Sequence, residues 1–280
     1  MLRKAFRHGS WFPTQTEFLH ALSLLPEDDR VVILRYVHQR DVLSRMAGRL
    51  LMRQAAVSWF SVDSSAIVFD RTDLGRPFVA GYQGILDLNI SHGGEFTTIV
   101  SVNQGRCGVD VMRIELPPPE KSARSFITKL KGVLSPEELS LILSQTTEGE
   151  QMRYFYRHWC LKEAYLKAIG CGIRLPLSTV QCTLCLSGDP SVSCSFDEFA
   201  SGYWRFEEHS LPGGHLAATA WFKPTPHAPF NEASGFTEVD FTGLIAGLTR
   251  LTDVPEETWL AFNSKPREPP STRRVLFADE

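Results

Sequence analysis

The chain has 280 residues, room for two modest lobes and a tail, with 43% hydrophobic residues and a formal net charge of −3. This balance excludes a membrane span, since no apolar run approaches the ~18 residues one needs. It also gives no global attraction to nucleic acid or to an anionic membrane, so any anion site must be local. The six cysteines, in so long and apolar a chain, read as reduced thiols rather than a disulfide framework, which suits the cytosol.

Met1 to Thr16 carries Arg3, Lys4 and Arg7 and no acid, a composition shared with mitochondrial transit peptides. Ala5 to Phe12 runs straight into Trp11-Phe12-Pro13, however, and part of the fold is the favoured reading; no secretory apolar segment is present. Arg30, Arg35 and Arg40 precede a long helix predicted from Gln39 to Trp59. Within it Arg45, Arg49 and Arg53 form an i, i+4 stripe opposite Leu43, Met46, Leu50 and Leu51, which a solvated face explains. A strand is expected near Ala66 to Asp70. Arg71 to Arg76 then reads as a turn bearing two guanidiniums, whose forks match phosphate oxygens.

Asn89-Ile90-Ser91-His92 reads as a strand end turning into a loop, with Gly93 and Gly94 allowing close backbone approach before a strand from Phe96 to Val102. Taken alone, Ser91 and His92 are explained by a loop hydrogen bond. His92 has no second histidine at ligand spacing, which argues against a metal ligand. Gly105 to Glu115 places one carboxylate, Asp110, in a short apolar strand, where an unpaired charge is costly. Leu116-Pro117-Pro118-Pro119 reads as a stiff, extended connection between lobes. Lys121, Arg124, Lys129 and Lys131 surround Phe126, Ile127 and Leu130; ordinary amphipathic surface and a docking patch for an acidic partner explain them equally.

Good helix formers predict a helix from Arg153 to Ile169, stopped by Gly170 and Gly172. Trp159, Glu163 and Lys167 share one face of it, and on their own Glu163 and Lys167 read as a surface ion pair. With Asp110 added, two carboxylates and a lysine from separate elements form an arrangement suited to phosphoryl transfer, able to hold a divalent metal and anionic oxygens. A strand is expected over Val180 to Leu186; it would point Cys182 and Cys185 to opposite faces, against a zinc or redox site. Another runs from His215 to Phe222 after Gly213-Gly214. Pro224, Pro226 and Pro229 open a linker to short helices over Phe241 to Leu251 and Pro255 to Phe262, and Lys265 to Pro270 reads as a loosely held end without a motif. The order helix, strand, then strand after a glycine turn thus occurs twice. It suggests two similar α/β lobes, with Asp110 near the end of the first, Glu163 inside the second and a cleft between them.

Four motifs in this order, Gly75-Arg76-Pro77-Phe78, Leu88-Asn89-Ile90-Ser91-His92, Gly108-Val109-Asp110 and Trp159-x-x-Lys162-Glu163-x-x-x-Lys167, resemble those of the 4'-phosphopantetheinyl transferases. The likeness is to the long, surfactin-synthetase-activating type, over roughly residues 3 to 223. It implies an α/β (α+β) fold of two lobes related by pseudo-twofold symmetry, with lobes at 1–116 and 117–223 and an extension at 224–280. The implied activity moves 4'-phosphopantetheine from coenzyme A to a serine of an apo acyl or peptidyl carrier protein, leaving adenosine 3',5'-bisphosphate. Magnesium is the implied metal, held by Asp110 and Glu163 with phosphate oxygens and water. Many bacterial relatives carry a second acid where this chain has Met112, so water is expected there; Glu115 is a poor substitute.

In the family, the residue matching Glu163 helps deprotonate the acceptor serine, and that matching Lys167 partners the phosphates or the departing oxygen. Arg71, Gly75 and Arg76 fall in the loop that meets the adenine and phosphate end of coenzyme A. Asn89, Ser91, His92 and Lys162 are further cofactor contacts by the same resemblance, and Arg30 is chosen for the 3'-phosphate ahead of Arg35 and Arg40. A cytosolic monomer without nucleic-acid or membrane partners is implied. Its acceptors are left open between carrier domains of the fatty-acid synthase and the aminoadipate-semialdehyde dehydrogenase types. Two competing readings remain: a coenzyme A-dependent enzyme with another acceptor, and a catalytically impaired relative that binds carrier domains or coenzyme A.

Overall fold

The computed structural model describes residues 1–171, 175–184, 190–194, 203–224, 235–268 and 274–275. One series of elements occurs twice. In the first pass β1 (Leu2–Phe6) leads to two short helices, α1 (Gln15–Ser23) and α2 (Glu27–Leu34), and to the long α3 (Gln39–Phe60). A ribbon of β2 (Phe69–Arg71) with β3 (Pro77–Val79) and a hairpin of β4 (Leu86–Gly93) with β5 (Phe96–Asn103) follow. In the second pass β6 (Arg106–Arg113) and the short β7 (Glu115–Leu116) lead to α4 (Ala123–Lys129), α5 (Pro136–Leu143) and the long α6 (Glu148–Ile169). Then come the ribbon β8 (Val180–Thr183) with β9 (Ser191–Cys194) and the hairpin β10 (Tyr203–Leu211) with β11 (His215–Lys223). The described chain ends with β12 (Thr237–Val239), α7 (Phe241–Ile245), α8 (Glu257–Asn263) and β13 (Arg274–Val275).

Sheet order repeats too. The first sheet runs β12-β1-β5-β4 and the second β10-β11-β6, so in each pass the opening strand lies beside the closing one. Each long helix covers its own sheet and buries a separate core. Among the described residues no helix is long and apolar enough to cross a membrane.

Local chemistry explains where α6 begins and ends. It starts at Glu148, ahead of the predicted Arg153, because Thr147 caps it and Glu150 completes a capping box. It stops at Gly170, whose φ of 74° is the left-handed cap that glycine adopts without strain. Gly108 lets the helix lie directly on β6: a Cβ there would stand 1.9 Å from the Ala164 carbonyl oxygen. The glycine of the Gly-Val-Asp strand is thus a packing requirement.

Several expectations change. β6 lies inside the predicted 1–116 lobe, yet its backbone hydrogen bonds go to β11, placing Asp110 in the second sheet. Pro117 to Pro119 do not extend; they turn, and the Glu120 N–H closes the turn on the Pro117 carbonyl at 3.1 Å. The strand expected from Ala66 begins at Phe69, because Asp63 caps a short 3-10 turn over Ser64–Ala66. Cys185 and Leu186 lie outside the described residues. The basic N-terminal stretch is built into the fold, with β1 paired antiparallel to β5.

The tail is better held than its composition suggests. Leu244 and Phe262 are buried in the first core, and the Phe262 ring stacks on Phe18 with centroids 4.1 Å apart. The carbonyls of Pro266 and Arg267 accept the N–H groups of Gln39 and Arg40 at 2.9 and 3.0 Å, satisfying donors that the start of α3 leaves open.

His8, just after β1, is buried with Nδ1 3.0 Å from Thr97 Oγ1. Burial, with the nearby Arg40, His92 and His215, pushes its pKa from 6.5 down to about 3. Between those values the unfolded chain binds the proton and the folded one does not, so acid disfavours folding. From this group stability should fall by about 1.4 kcal/mol for each pH unit below 6.5, levelling off near 3. His8→Gln should flatten the slope of unfolding free energy between pH 6.5 and 5 in urea titrations; an unchanged slope would mean that His8 titrates normally.

Candidate active site

β4 meets β6 through side chains. Asp87, Asn89 and Ser91 alternate along β4, so all three face the same way. Asp87 Oδ2 accepts the Cys107 N–H at 2.7 Å, Asn89 Oδ1 that of Val109 at 2.9 Å, and Ser91 Oγ that of Val111 at 3.4 Å. These side chains join the two sheets as carbonyls join strands within one. The motif residues Asn89 and Ser91 are therefore rungs of a ladder that positions Asp110.

Asp110 is buried, 5% exposed, among polar partners. Its Oδ1 accepts from Lys167 Nζ at 2.6 Å and from Ser91 Oγ at 2.9 Å, and Lys167 also donates to Ser91 Oγ at 3.0 Å. Lys167 thus pairs with Asp110 on the neighbouring strand β6 rather than with Glu163 along its own helix, a correction to the surface-pair reading. Asp110 Oδ2 is buried and takes none of these bonds, with the buried Cys160 thiol beside the carboxylate. Glu163, partly buried, has its pKa raised by desolvation and then by the negative charge of Asp110, against the pull of Lys167. That carboxylate oxygen, beside a second, electrostatically frustrated carboxylate, fits a hard divalent cation. Among the described residues no cluster of three or more His, Cys, Asp or Glu forms here, in keeping with Met112, which packs against the second core.

Two cavities flank this cluster. One of about 530 Å³ is lined by Gly75, Arg76, Asn89, Glu163 and Lys167, with an apolar rim of Leu74, Leu166 and Leu177. The other, about 330 Å³, holds Arg45, Arg49, Arg71, Ser91 and His92, and Pro77 borders both. The second is basic by composition, with three arginines in its lining, of which Arg49 pairs with Asp29 at 3.0 Å and Arg71 donates to the Gly75 carbonyl at 2.7 Å.

The candidate residues fall into three groups. Asp110, Glu163, Lys167, Asn89, Ser91, His92, Arg71 and Gly75 gather around the two cavities. Arg76 reaches a cavity wall, but its guanidinium is tied to Asp87 and to backbone carbonyls, so it is no free phosphate ligand. Lys162 and Arg30 do not join the site. The Lys162 ammonium is enclosed by Glu138 at 2.6 Å and by the carbonyls of Val133 and Leu177, because its position on α6 faces α5 instead of the cleft. Arg30 donates to the Asp253 carbonyl at 3.2 Å and lines neither cavity.

Arg45 and Arg49, read as solvated surface, border the basic cavity. The stripe is solvated only in part: Arg45 is exposed and Arg49 pairs with Asp29 at 3.0 Å, while Arg53 is 2% exposed and donates to the carbonyls of Ile67 and Ser64. The i, i+4 arginine spacing was the available signal, and a binding wall produces it as readily as water does.

The chain has counterparts among known proteins. Residues 9–104 match a family model described as 4'-phosphopantetheinyl transferase, N-terminal, and residues 106–220 match that of the 4'-phosphopantetheinyl transferase superfamily. The chain belongs to this superfamily. The junction between the matches precedes β6, as the strand pairing does. Similar proteins named L-aminoadipate-semialdehyde dehydrogenase-phosphopantetheinyl transferase occur in Xenopus laevis (28% identical, covering 98% of this chain and 95% of the relative) and Homo sapiens (28%, covering 93% and 90%). A solved holo-(acyl-carrier-protein) synthase from Bacillus anthracis, in complex with coenzyme A (3',5'-ADP), is 14% identical with a TM-score of 0.35, covering 43% of this chain and 96% of that one.

Proposed function

We propose that the protein transfers 4'-phosphopantetheine from coenzyme A to a serine of apo carrier-protein domains. The observation that carries this reading is the Asp110–Ser91–Lys167 cluster, set between an arginine-walled cavity and one that holds Glu163. The serine oxygen forms a bond to the phosphorus that bears pantetheine, and the bond from that phosphorus to the 3',5'-ADP oxygen breaks. Glu163, which lines the larger cavity, takes the serine proton. Lys167 lies beside the acids and meets charge building on the transferred phosphoryl group or the departing oxygen. Asp110 Oδ2 and Glu163 would hold magnesium, which supplies charge neutralisation for the pyrophosphate when bound.

Arg45, Arg49 and Arg71 bind the cofactor's phosphates, with His92 beside them. The acceptors are carrier domains, of the aminoadipate-semialdehyde dehydrogenase type that the relatives' names mention or of the fatty-acid synthase type, and the protein acts as a cytosolic monomer. The direct test weighs an apo acyl carrier protein after incubation with this protein, coenzyme A and magnesium. One added phosphopantetheine supports the transferase; retention of both partners without a mass change supports the binding module.

Lys121, Arg124 and Lys131 are exposed around α4, whereas Lys129 already pairs with Glu120. A carrier domain with acidic surface is steered there. Arg124→Glu with Lys131→Glu should raise the KM for carrier protein about 5- to 10-fold, more at low salt, and leave the Kd for coenzyme A unchanged. Parallel loss of both affinities would place the patch in the cofactor site.

A further inference from the structure

Asp87 stands outside the four motifs that carry the chemistry, yet it is the first rung of the ladder between β4 and β6. It also holds Arg76. Its Oδ1 accepts from Arg76 Nε at 3.1 Å, and its Oδ2 from Arg76 Nη2 at 2.5 Å and from the Cys107 N–H at 2.7 Å. Arg76 goes on to the Cys107 carbonyl at 2.8 Å and to the carbonyl of Lys167, in the last turn of α6. The two side chains are only 8% and 15% exposed. One ion pair therefore joins the loop before β3, the strand β4 that carries Ser91, the strand β6 that carries Asp110, and the helix end that carries Lys167.

Donor arithmetic limits what else Arg76 can do. Four of the five N–H groups of its guanidinium are engaged in these bonds, so a two-pronged grip on a phosphate would require dismantling the clasp. The basic cavity meanwhile offers three other arginines. We propose that Asp87, acting through Arg76, is a positioning residue that fixes the end of α6 against β6 and so sets Lys167 and Glu163 relative to Asp110. This rests on the transferase reading above. It predicts that the clasp governs the rate of transfer and not the affinity for coenzyme A, because the groups it places act on charge that develops during the reaction.

The test compares Asp87→Asn, Arg76→Lys and the double variant. Asparagine keeps one oxygen but turns an amide N–H₂ toward donors, and lysine cannot span Asp87 and both carbonyls. Each single variant should lower kcat about 10- to 100-fold while the Kd for coenzyme A, measured by calorimetry without carrier protein, shifts by less than about 3-fold. The double variant should be no slower than the slower single one, as expected of residues acting as a unit. Ile142→Val, in α5 away from the clasp, serves as a destabilised control that should keep kcat. A raised Kd with kcat intact would make Arg76 a phosphate contact and overturn the proposal. An equal fall in kcat for the control would reduce the clasp to general stability and overturn it also. If the wild type itself fails to load carrier protein, the transferase reading fails; amide hydrogen exchange in the last turn of α6 then decides the clasp separately. Faster exchange there in Asp87→Asn, with the helix start unchanged, supports the clasp, and unchanged exchange removes it.

Discussion

Asp110→Ala and Glu163→Ala should each lower transfer at least ~100-fold in saturating magnesium, because each removes half of a charge clamp assembled from two elements. Their effects on stability should differ. Asp110→Ala strips the partner from the partly exposed Lys167 and leaves Ser91 without an acceptor, so its melting temperature should drop modestly. Glu163→Ala relieves a carboxylate held above its usual pKa by burial and by Asp110, so this variant should melt no lower than wild type. Single-turnover rates and thermal melts on the same preparations read both effects. Near-normal turnover in either variant would remove the metal assignment; a lowered melting point in Glu163→Ala would mean that the carboxylate is stabilised by its surroundings.

The second large effect falls on stability alone. Glu138 is buried and accepts from Lys162 Nζ at 2.6 Å, from the Ser135 N–H at 2.8 Å and from the Cys182 N–H at 2.8 Å, fastening α5 and β8 to α6. Glu138→Ala leaves an ammonium 1% exposed with only carbonyls for company, at an expected cost of about 3–5 kcal/mol. Lys162→Met leaves the carboxylate its two backbone N–H donors but no counter-charge, and should cost less. Removing both, as Glu138→Leu with Lys162→Met, should cost less than the sum, since neither charge is then stranded. Urea titrations of the four proteins close the cycle. Strict additivity would show that the pair is not coupled. Coenzyme A affinity of the folded Lys162→Met protein should match wild type, which separates this lysine from the cofactor contacts around it in sequence.

The difference between Lys162 and Lys167 shows what a sequence can carry. Both lie in one motif, and helix periodicity separates their directions by about 100° per residue, but only the placement of α5 reveals that one direction leads into a core. That Asp110 would find a partner was legible because a charge set in an apolar strand needs one. The pairing itself was not: the i, i+4 rule favoured Glu163 with Lys167, while Asp110, far away in sequence, takes the lysine through the fold. The doubling of the fold was readable from its glycine turns and the order of its elements. Strand pairing was not, which is why β6 is assigned by sequence to the lobe before it and by hydrogen bonds to the sheet after it. Arg45 and Arg49 show a further limit, since an amphipathic helix has the same period whether its polar face meets water or a cavity.

The doubled fold also bears on stoichiometry. On β6 the side chain of Asp110 turns to Lys167 of α6, while its neighbour Val111 turns to the seam between the sheets, where Ala5 of β1 meets it. β4 reaches β6 across that seam through Asp87, Asn89 and Ser91, and β10 reaches β1 through the buried pair of Glu207 with Arg3. Ala5, Leu211, Phe96, Val111 and Ala217 close that seam as an apolar cluster, with Phe236 from the tail packed on it. Two copies of one architectural unit have thus divided their labour: β6 and α6 meet through Asp110 and Lys167, β1 and α3 through Lys4 and Gln54. Such a chain is monovalent by construction: a calorimetric titration with coenzyme A should end at one equivalent per polypeptide, despite the two-lobed outline.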